Sequence, residues 1–346
     1  MGVALALFGV SLRSLRFRRK AHRHVQRLRS DVGVLQEALM PAFPESIAAL
    51  TASAAYRPAA GDVGGGDFFD AFQLSNGHAV IIIGDVSGHG KDVVQQTAVV
   101  HYGIRAWLRE GASPRQALKR ASKAFNEDLG ESFATLLVCV YDPRSATLTW
   151  ASAGHPPPFI IGAPFKPIVA SSAPPIGLGI HTGQRQTSIA LPSDAVICLY
   201  TDGLKEARTK KGEMLGAAMV RSILEQHVAR DFSARKFLGD VSAHADTSAD
   251  DCAAVLLRVQ KGNGTDFWVE ELEVHLEDGP ELVRNFLEDG GLEEEGIGRC
   301  LAELEVERGR GSGGENEAVL LRFFPRSHEC ELRFVADHVR NPSMQL

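Results

Sequence analysis

The chain has 346 residues, of which 44% are hydrophobic and 23% charged, the balance of a soluble globular protein long enough for more than one core. A net charge of -6 argues against a nucleic-acid binder acting through its whole surface. Cys139, Cys198, Cys252, Cys300 and Cys330 are scattered, the first three in apolar runs, which predicts buried reduced thiols and not a disulfide framework.

The N-terminal segment 1–14 is apolar (MGVALALFGVSL), and Lys and Arg dominate from Arg13 to Arg29. A spanning helix needs roughly 20 apolar residues, so this one is too short. A signal peptide carries its positive charge before the apolar part, and here it comes after. Three readings stay open for 1–29: a contact with an anionic membrane surface, the stump of a longer membrane segment, or a frayed terminal helix. The expected location is cytoplasmic, with the N-terminus as the one candidate for membrane association. Within 15–41, Val25, Leu28, Val32, Leu35 and Leu39 recur at a/d spacing, and Pro41 and Pro44 end the pattern. This predicts an amphipathic linker helix that either packs on the following domain or pairs with a second copy as a homodimer.

From 42 to 260 the pattern alternates. Strands are expected over 68–74, 79–84, 134–141, 147–152, 158–161, 187–191, 195–201 and 252–259. Helices are expected over 92–110, 114–129, 212–229 and 233–246, with Pro114 suited to a first turn. Strands meander and helices come in consecutive pairs, which favours α+β layers with antiparallel sheets over a doubly wound parallel sheet. Lys261-Gly262-Asn263-Gly264 reads as a linker. Residues 265–346 then read as a small α+β module: strand 267–276, helices 279–289 and 292–305, a Gly-rich loop at 308–317, and strands 318–324 and 330–336.

Chemistry concentrates at four acidic turns: Gly65-Gly66-Asp67 with Asp70, Gly84-Asp85-Val86-Ser87-Gly88, Thr201-Asp202-Gly203, and Asp250-Asp251. An apolar run precedes Asp85 and another precedes Asp202, so buried strands deliver these carboxylates to their ends. Mg²⁺ and Mn²⁺ take oxygen ligands of this kind, and two such ions activate water and neutralise a phosphoryl group. His89 follows Asp85 by four residues. It is a candidate to protonate a leaving oxygen, with a loop-structuring role as the other reading. Gly90-Lys91 is no phosphate loop, because Asp85 stands where the first glycine is required and Asp92 where Ser or Thr is required. Cys252 and Arg258 have the spacing of a cysteine phosphatase, but the residues between them form a buried apolar strand with no glycine cradle.

Tyr56-Arg57-Pro58-Ala59, the Gly65–Asp70 and Gly84–Gly90 stretches, Ala153-Gly154-His155-Pro156, Pro175-Ile176-Gly177-Leu178, Tyr200-Thr201-Asp202-Gly203 and Asp250-Asp251 occur in that order. In this the chain resembles the PPM-type, metal-dependent serine/threonine phosphatases, in their bacterial sporulation-protein-E-like, sigma-factor-regulating branch, over about residues 35 to 259. The resemblance implies a four-layer α-β-β-α sandwich with antiparallel sheets and two Mn²⁺ or Mg²⁺ ions at one end. It implies that Asp85 bridges both ions, Val86 lends its carbonyl, Asp202 and Asp250 complete one ion, and Asp67 acts through water with Asp70 in support. Asp251 falls outside the ligand set. His155 is expected to brace a turn. The implied substrate is a phosphoserine or phosphothreonine on a STAS-type anti-anti-sigma factor, hydrolysed by direct attack of water without a covalent intermediate. Lys91-Asp92-Val93-Val94 and Cys252-Ala253-Ala254 depart from the small residues and the threonine usual in the family. The C-terminal module faintly resembles a degenerate anti-sigma-factor kinase ATPase domain, with His338 following Asp337 where glycine is expected. A catalytically silent, partner-binding module of the same fold is the alternative reading.

Overall fold

The computed structural model describes residues 40, 42–58, 65–126, 129–130, 132–163, 173–209, 211–245, 250–262, 267–275, 278–310 and 318–335. The apolar segment 1–14 and the heptad pattern of the linker helix therefore lie outside the described residues. In chain order the strands are β1 (Ser46–Ile47), β2 (Leu50–Arg57), β3 (Phe68–Gln73), β4 (Ala79–Val86), β5 (Ala134–Asp142), β6 (Thr147–Ala153), β7 (Phe159–Ile161), β8 (Arg185–Ala190), β9 (Val196–Tyr200), β10 (Cys252–Val259), β11 (Trp268–His275), β12 (Ala318–Phe324) and β13 (Glu329–Val335). The helices are α1 (Lys91–Arg109), α2 (Pro114–Phe125), α3 (Gly203–Glu206), α4 (Gly216–Val228), α5 (Ala234–His244), α6 (Pro280–Asp289) and α7 (Glu294–Arg310). No described helix is long and apolar enough to cross a membrane.

The strands form two antiparallel sheets, ordered β1-β2-β10-β9-β7 and β13-β12-β11-β8-β6-β5-β4-β3. β4 shows why. Its run Ala79–Ile83 is buried throughout, because alternate side chains enter different cores. Ile81 and Ile83 join Leu137, Ile197, Leu199 and Val255 between the two sheets. Val80 and Ile82 point the other way and meet Val100 and Ile104 of α1 and Leu118 of α2. Burial of each such isoleucine contributes about 2 kcal/mol. A third core joins Cys198 and Leu256 of the smaller sheet to Val220 and Ile223 of α4 and Phe237 of α5.

Local signals fix the helices of the larger sheet. α1 buries Val93, Val94, Thr97, Val100, His101, Ile104 and Leu108, a stripe at helical spacing. α2 opens with a reciprocal capping box: the Gln116 amide donates to Ser113 Oγ, and the Ser113 amide donates to Gln116 Oε1 at 2.9 Å. Pro114 occupies its first turn, as expected.

Residues 267–335 continue the larger sheet. β11 pairs antiparallel with β8, from Trp268↔Ile189 to Leu272↔Arg185, and carries β12 and β13 beyond it. α6 and α7 cover one face of this extension through Val283, Phe286, Leu287, Ile297 and Leu304, packed on Leu272, Val274, Val319, Leu321 and Phe323. The expected strands and helices recur with shifts of a few residues at their ends. β1, β2 and α3 were not expected from the sequence.

Candidate metal centre

The acidic turns meet at one end of the two sheets. Phe68 at the start of β3 lies opposite Gly84 near the end of β4, so Asp67 and Asp85 share an end of the larger sheet. Ala254 near the start of β10 lies opposite Tyr200 at the end of β9, which brings Asp202 and Asp250-Asp251 to one end of the smaller sheet. Thr201 ties the two sheets together. Its hydroxyl donates to Asp67 Oδ2 at 2.8 Å and accepts from the Ala253 amide at 2.9 Å. The Val86 amide donates to the Gly66 carbonyl at 3.2 Å, locking the two turns of the larger sheet.

Glycine is required here by close approach. A Cβ on Gly66 would collide with the Val86 carbonyl oxygen and with Asp85 Oδ1, so these two oxygens lie side by side against the Gly66 backbone. A Cβ on Gly65 would collide with the Asp251 carboxylate. Gly88 and Gly90 hold φ of 106° and 96°, which lets the chain turn from β4 into α1.

The electrostatics are those of crowded like charges. Burial first, then Asp202, Asp250 and Asp251, push the Asp85 carboxyl up to about 7. Burial and then Asp85 raise Asp67 well above the usual carboxylate range, against the Thr201 hydrogen bond. Burial raises Asp202, with Lys205 opposing and Asp250 adding to it. Such carboxylates call for a cation. Among the described residues, however, no three acidic, histidine or cysteine side chains converge as the closed ligand set of an ion does. The residues fit a divalent ion by chemistry: hard oxygen donors, a main-chain carbonyl beside a carboxylate, and mutual repulsion that a bound cation would relieve. Asp67, Asp85, Val86, Asp202 and Asp250 are the residues that would hold it, with Asp251 buried beside them.

Asp70 does not belong to this cluster, which corrects its assignment as a metal ligand. Successive residues of a strand face opposite sides, so Asp70 shares the helix-facing side of β3 with Phe68 and Phe72. There His101 Nε2 meets Asp70 Oδ2 at 2.9 Å, and Arg105 pairs with the same oxygen. Burial raises the Asp70 carboxyl, but these two partners outweigh it and hold it below the usual range. His89 is exposed in the loop before α1. His155 is buried, with Nδ1 2.9 Å from Thr135 Oγ1, and burial pushes it down to about 3, so it stays neutral. Thr135 stands opposite Asp85 across β4 and β5, so His155 braces the strand next to the cluster. Thr201 is the site residue that sequence reasoning passed over. Its position directly before Asp202 at a strand end was the available signal.

The stage II sporulation protein E (SpoIIE) family matches residues 75–260. The phosphoserine phosphatase RsbU of Bacillus subtilis is 27% identical over 151 residues, covering 43% of this chain and 45% of that protein. The chain spans less than half the length of the curated relatives it matches. Among solved structures, the SiaA PP2C domain of Pseudomonas aeruginosa superposes with a TM-score of 0.57 at 19% identity, covering 69% of this chain and 98% of that one. The RsbU and RsbW domains of Rv1364c from Mycobacterium tuberculosis give a TM-score of 0.51 at 21% identity, covering 80% of each chain. With more than half of its length matched, this chain belongs to the SpoIIE family, and its fold is that of a PP2C-type phosphatase domain.

Proposed function

We propose that this chain is a divalent-metal-dependent protein phosphatase that hydrolyses phosphoserine or phosphothreonine on a regulatory protein. The observation that carries this reading is that the turns bearing Asp67, Asp85, Asp202 and Asp250-Asp251 meet at one end of the two sheets, with the Asp67 and Asp85 carboxyls desolvated and repelled by their acidic neighbours. Two Mn²⁺ or Mg²⁺ ions are the cofactors of this reading, and they supply charge neutralisation for the phosphoryl group and a water acidified for attack.

The protein's own part is positioning. Asp85 and the Val86 carbonyl are held side by side by the rigid end of β4. Thr201 fixes one Asp67 oxygen and so holds that carboxylate at the end of the two sheets. The neutral His155–Thr135 pair backs the strand without adding charge. His89, exposed in the following loop, is the proposed proton donor to the leaving oxygen.

The similarity to RsbU, a phosphoserine phosphatase, and the pairing of RsbU and RsbW domains in Rv1364c support a substrate in the same signalling class. The substrate proposed is a phosphorylated STAS-type anti-anti-sigma factor. Residues 1–29 and the 25–39 repeat are proposed to contact a membrane surface and a second copy, respectively.

The test is phosphate release from a phosphoserine-bearing STAS protein and from p-nitrophenyl phosphate, with Mn²⁺, with Mg²⁺, and with chelator. Release that requires the metal supports the reading. Metal bound without turnover on either substrate overturns it in favour of a silent partner-binding module.

A further inference from the structure

The seam between the phosphatase sheet and residues 267–335 carries acids where an edge strand normally shows solvent-facing residues. Glu273 of β11 is only 5% exposed. Its carboxylate binds Arg115, itself buried in the first turn of α2, and Lys119 one turn further on. Burial raises the Glu273 carboxyl, but Lys119 and Arg115 outweigh it, so it stays ionised. The grip extends to the backbone. The Glu273 amide donates to the Gln184 carbonyl at 2.9 Å, and the Arg115 amide donates to Gln186 Oε1 at 3.3 Å. Gln186 Nε2 in turn reaches Glu271 at 2.7 Å.

α2 leads from this seam to the metal centre. Along it, Ser122 Oγ donates to the Ile180 carbonyl at 3.2 Å, and Asn126 Oδ1 accepts from the Gly177 amide at 3.0 Å. The turn so held presents Ile176, which exchanges both backbone hydrogen bonds with Ala134, at 2.8 and 2.9 Å. Ala134 is the register partner of Val86, and the Ser87 amide donates to the neighbouring Phe133 carbonyl at 2.8 Å. The Glu273 ion pairs, the body of α2, the 176–180 turn and the Ala134–Val86 strand pair thus lie in sequence between Glu273 and the carbonyl-bearing residue of the site.

We propose that Glu273 is a positioning residue of the metal centre: by anchoring Arg115 and Lys119 it sets α2, and through α2 the Val86–Ser87 turn, so that residues 267–335 control how well the site binds a divalent ion. This rests on the metal-centre reading above. Glu273 touches no proposed ligand and acts through the helix alone. Release of the seam leaves Arg115 without its carboxylate and frees α2 to shift against β5 and β6.

The test uses the full chain and reads Mn²⁺ affinity by calorimetry, with melting temperature measured beside it. Glu273→Gln is expected to weaken Mn²⁺ binding about tenfold, a coupling of the size usual between distant sites. Lys119→Met, which removes a half-exposed partner and threatens the fold less, is expected to weaken it in the same direction. Leu287→Ala, in the core between α6 and the extended sheet, is the structural control: it lowers the melting temperature and leaves the Mn²⁺ affinity at the parental value. Parental affinity in both Glu273→Gln and Lys119→Met overturns the proposal, and so does an equal loss in Leu287→Ala. An affinity contrast without turnover in any variant supports the positioning role and sinks the phosphatase reading alone. Turnover with no affinity contrast does the reverse.

Discussion

Glu270 offers a pH test of the seam that is independent of catalysis. Its carboxylate accepts from Thr187 Oγ1 at 2.6 Å and from Trp268 Nε1 at 2.7 Å, inside the joint between β8 and β11. Burial pushes it up to about 7, against the Thr187 and Trp268 hydrogen bonds and Arg185, with Glu271 adding to the rise. An unfolded glutamate ionises near 4.5, so between about pH 4.5 and 7 the folded chain holds a proton that the unfolded chain has lost. Stability therefore falls as pH rises through that window, by about 3 kcal/mol from this group, at about 1.4 kcal/mol per pH unit. Glu270→Gln keeps the geometry: its oxygen accepts from Trp268, and its amide donates to Thr187 Oγ1. The variant is expected to lie within about 1 kcal/mol of the parent near pH 5 and to exceed it by up to about 3 kcal/mol at pH 8. Urea unfolding at the two pH values, followed by circular dichroism and by tryptophan fluorescence, reads this directly. An equal difference between variant and parent at both values would refute the argument.

Three further outcomes follow from the same geometry. Gly66→Ala forces a methyl group into the Val86 carbonyl and Asp85, and is expected to cost at least tenfold in Mn²⁺ affinity by calorimetry, with the chain still folded. Asp70→Ala breaks a buried pair with His101 and Arg105 and is expected to cost about 3 kcal/mol at pH 7, while Mn²⁺ affinity stays within about twofold. Because the folded Asp70 carboxyl is depressed, that stabilisation is complete above the unfolded carboxylate range and fades as pH falls through the folded value, so denaturation at pH 3 should show a smaller gap than at pH 7.

Much of this architecture is legible in the chain itself. Ala79–Ile83 reads as a strand buried on both sides, and its abrupt stop at Gly84-Asp85 places a carboxylate at the sheet's end. Ser113-Pro114 with Gln116 announces α2. Other features leave weaker marks. β2 is LTASAAYR, whose small residues give little β signal. The turn joining it to β1 is Ala48-Ala49, with φ of 44° and 65°, where a hairpin turn is normally announced by Asn or Gly. Asp70 misleads because it sits three residues from Asp67 in an acidic motif, while the pleat sends it to the opposite side. The joint between β8 and β11 is main-chain pairing between distant segments, and no periodicity encodes it. Glu270, Glu271 and Glu273 accordingly read as a solvated acidic strand, although the first and last of them are buried.

The central claim is that Asp85 and its neighbouring carboxylates form a divalent-metal site. Calorimetric Mn²⁺ titration of the full chain against Asp85→Asn tests it most directly. The parent is expected to bind Mn²⁺. The variant is expected to lose that binding while melting, without metal, no lower than the parent, since the substitution removes a buried and repelled charge. Parental Mn²⁺ affinity in a folded Asp85→Asn chain would contradict the account.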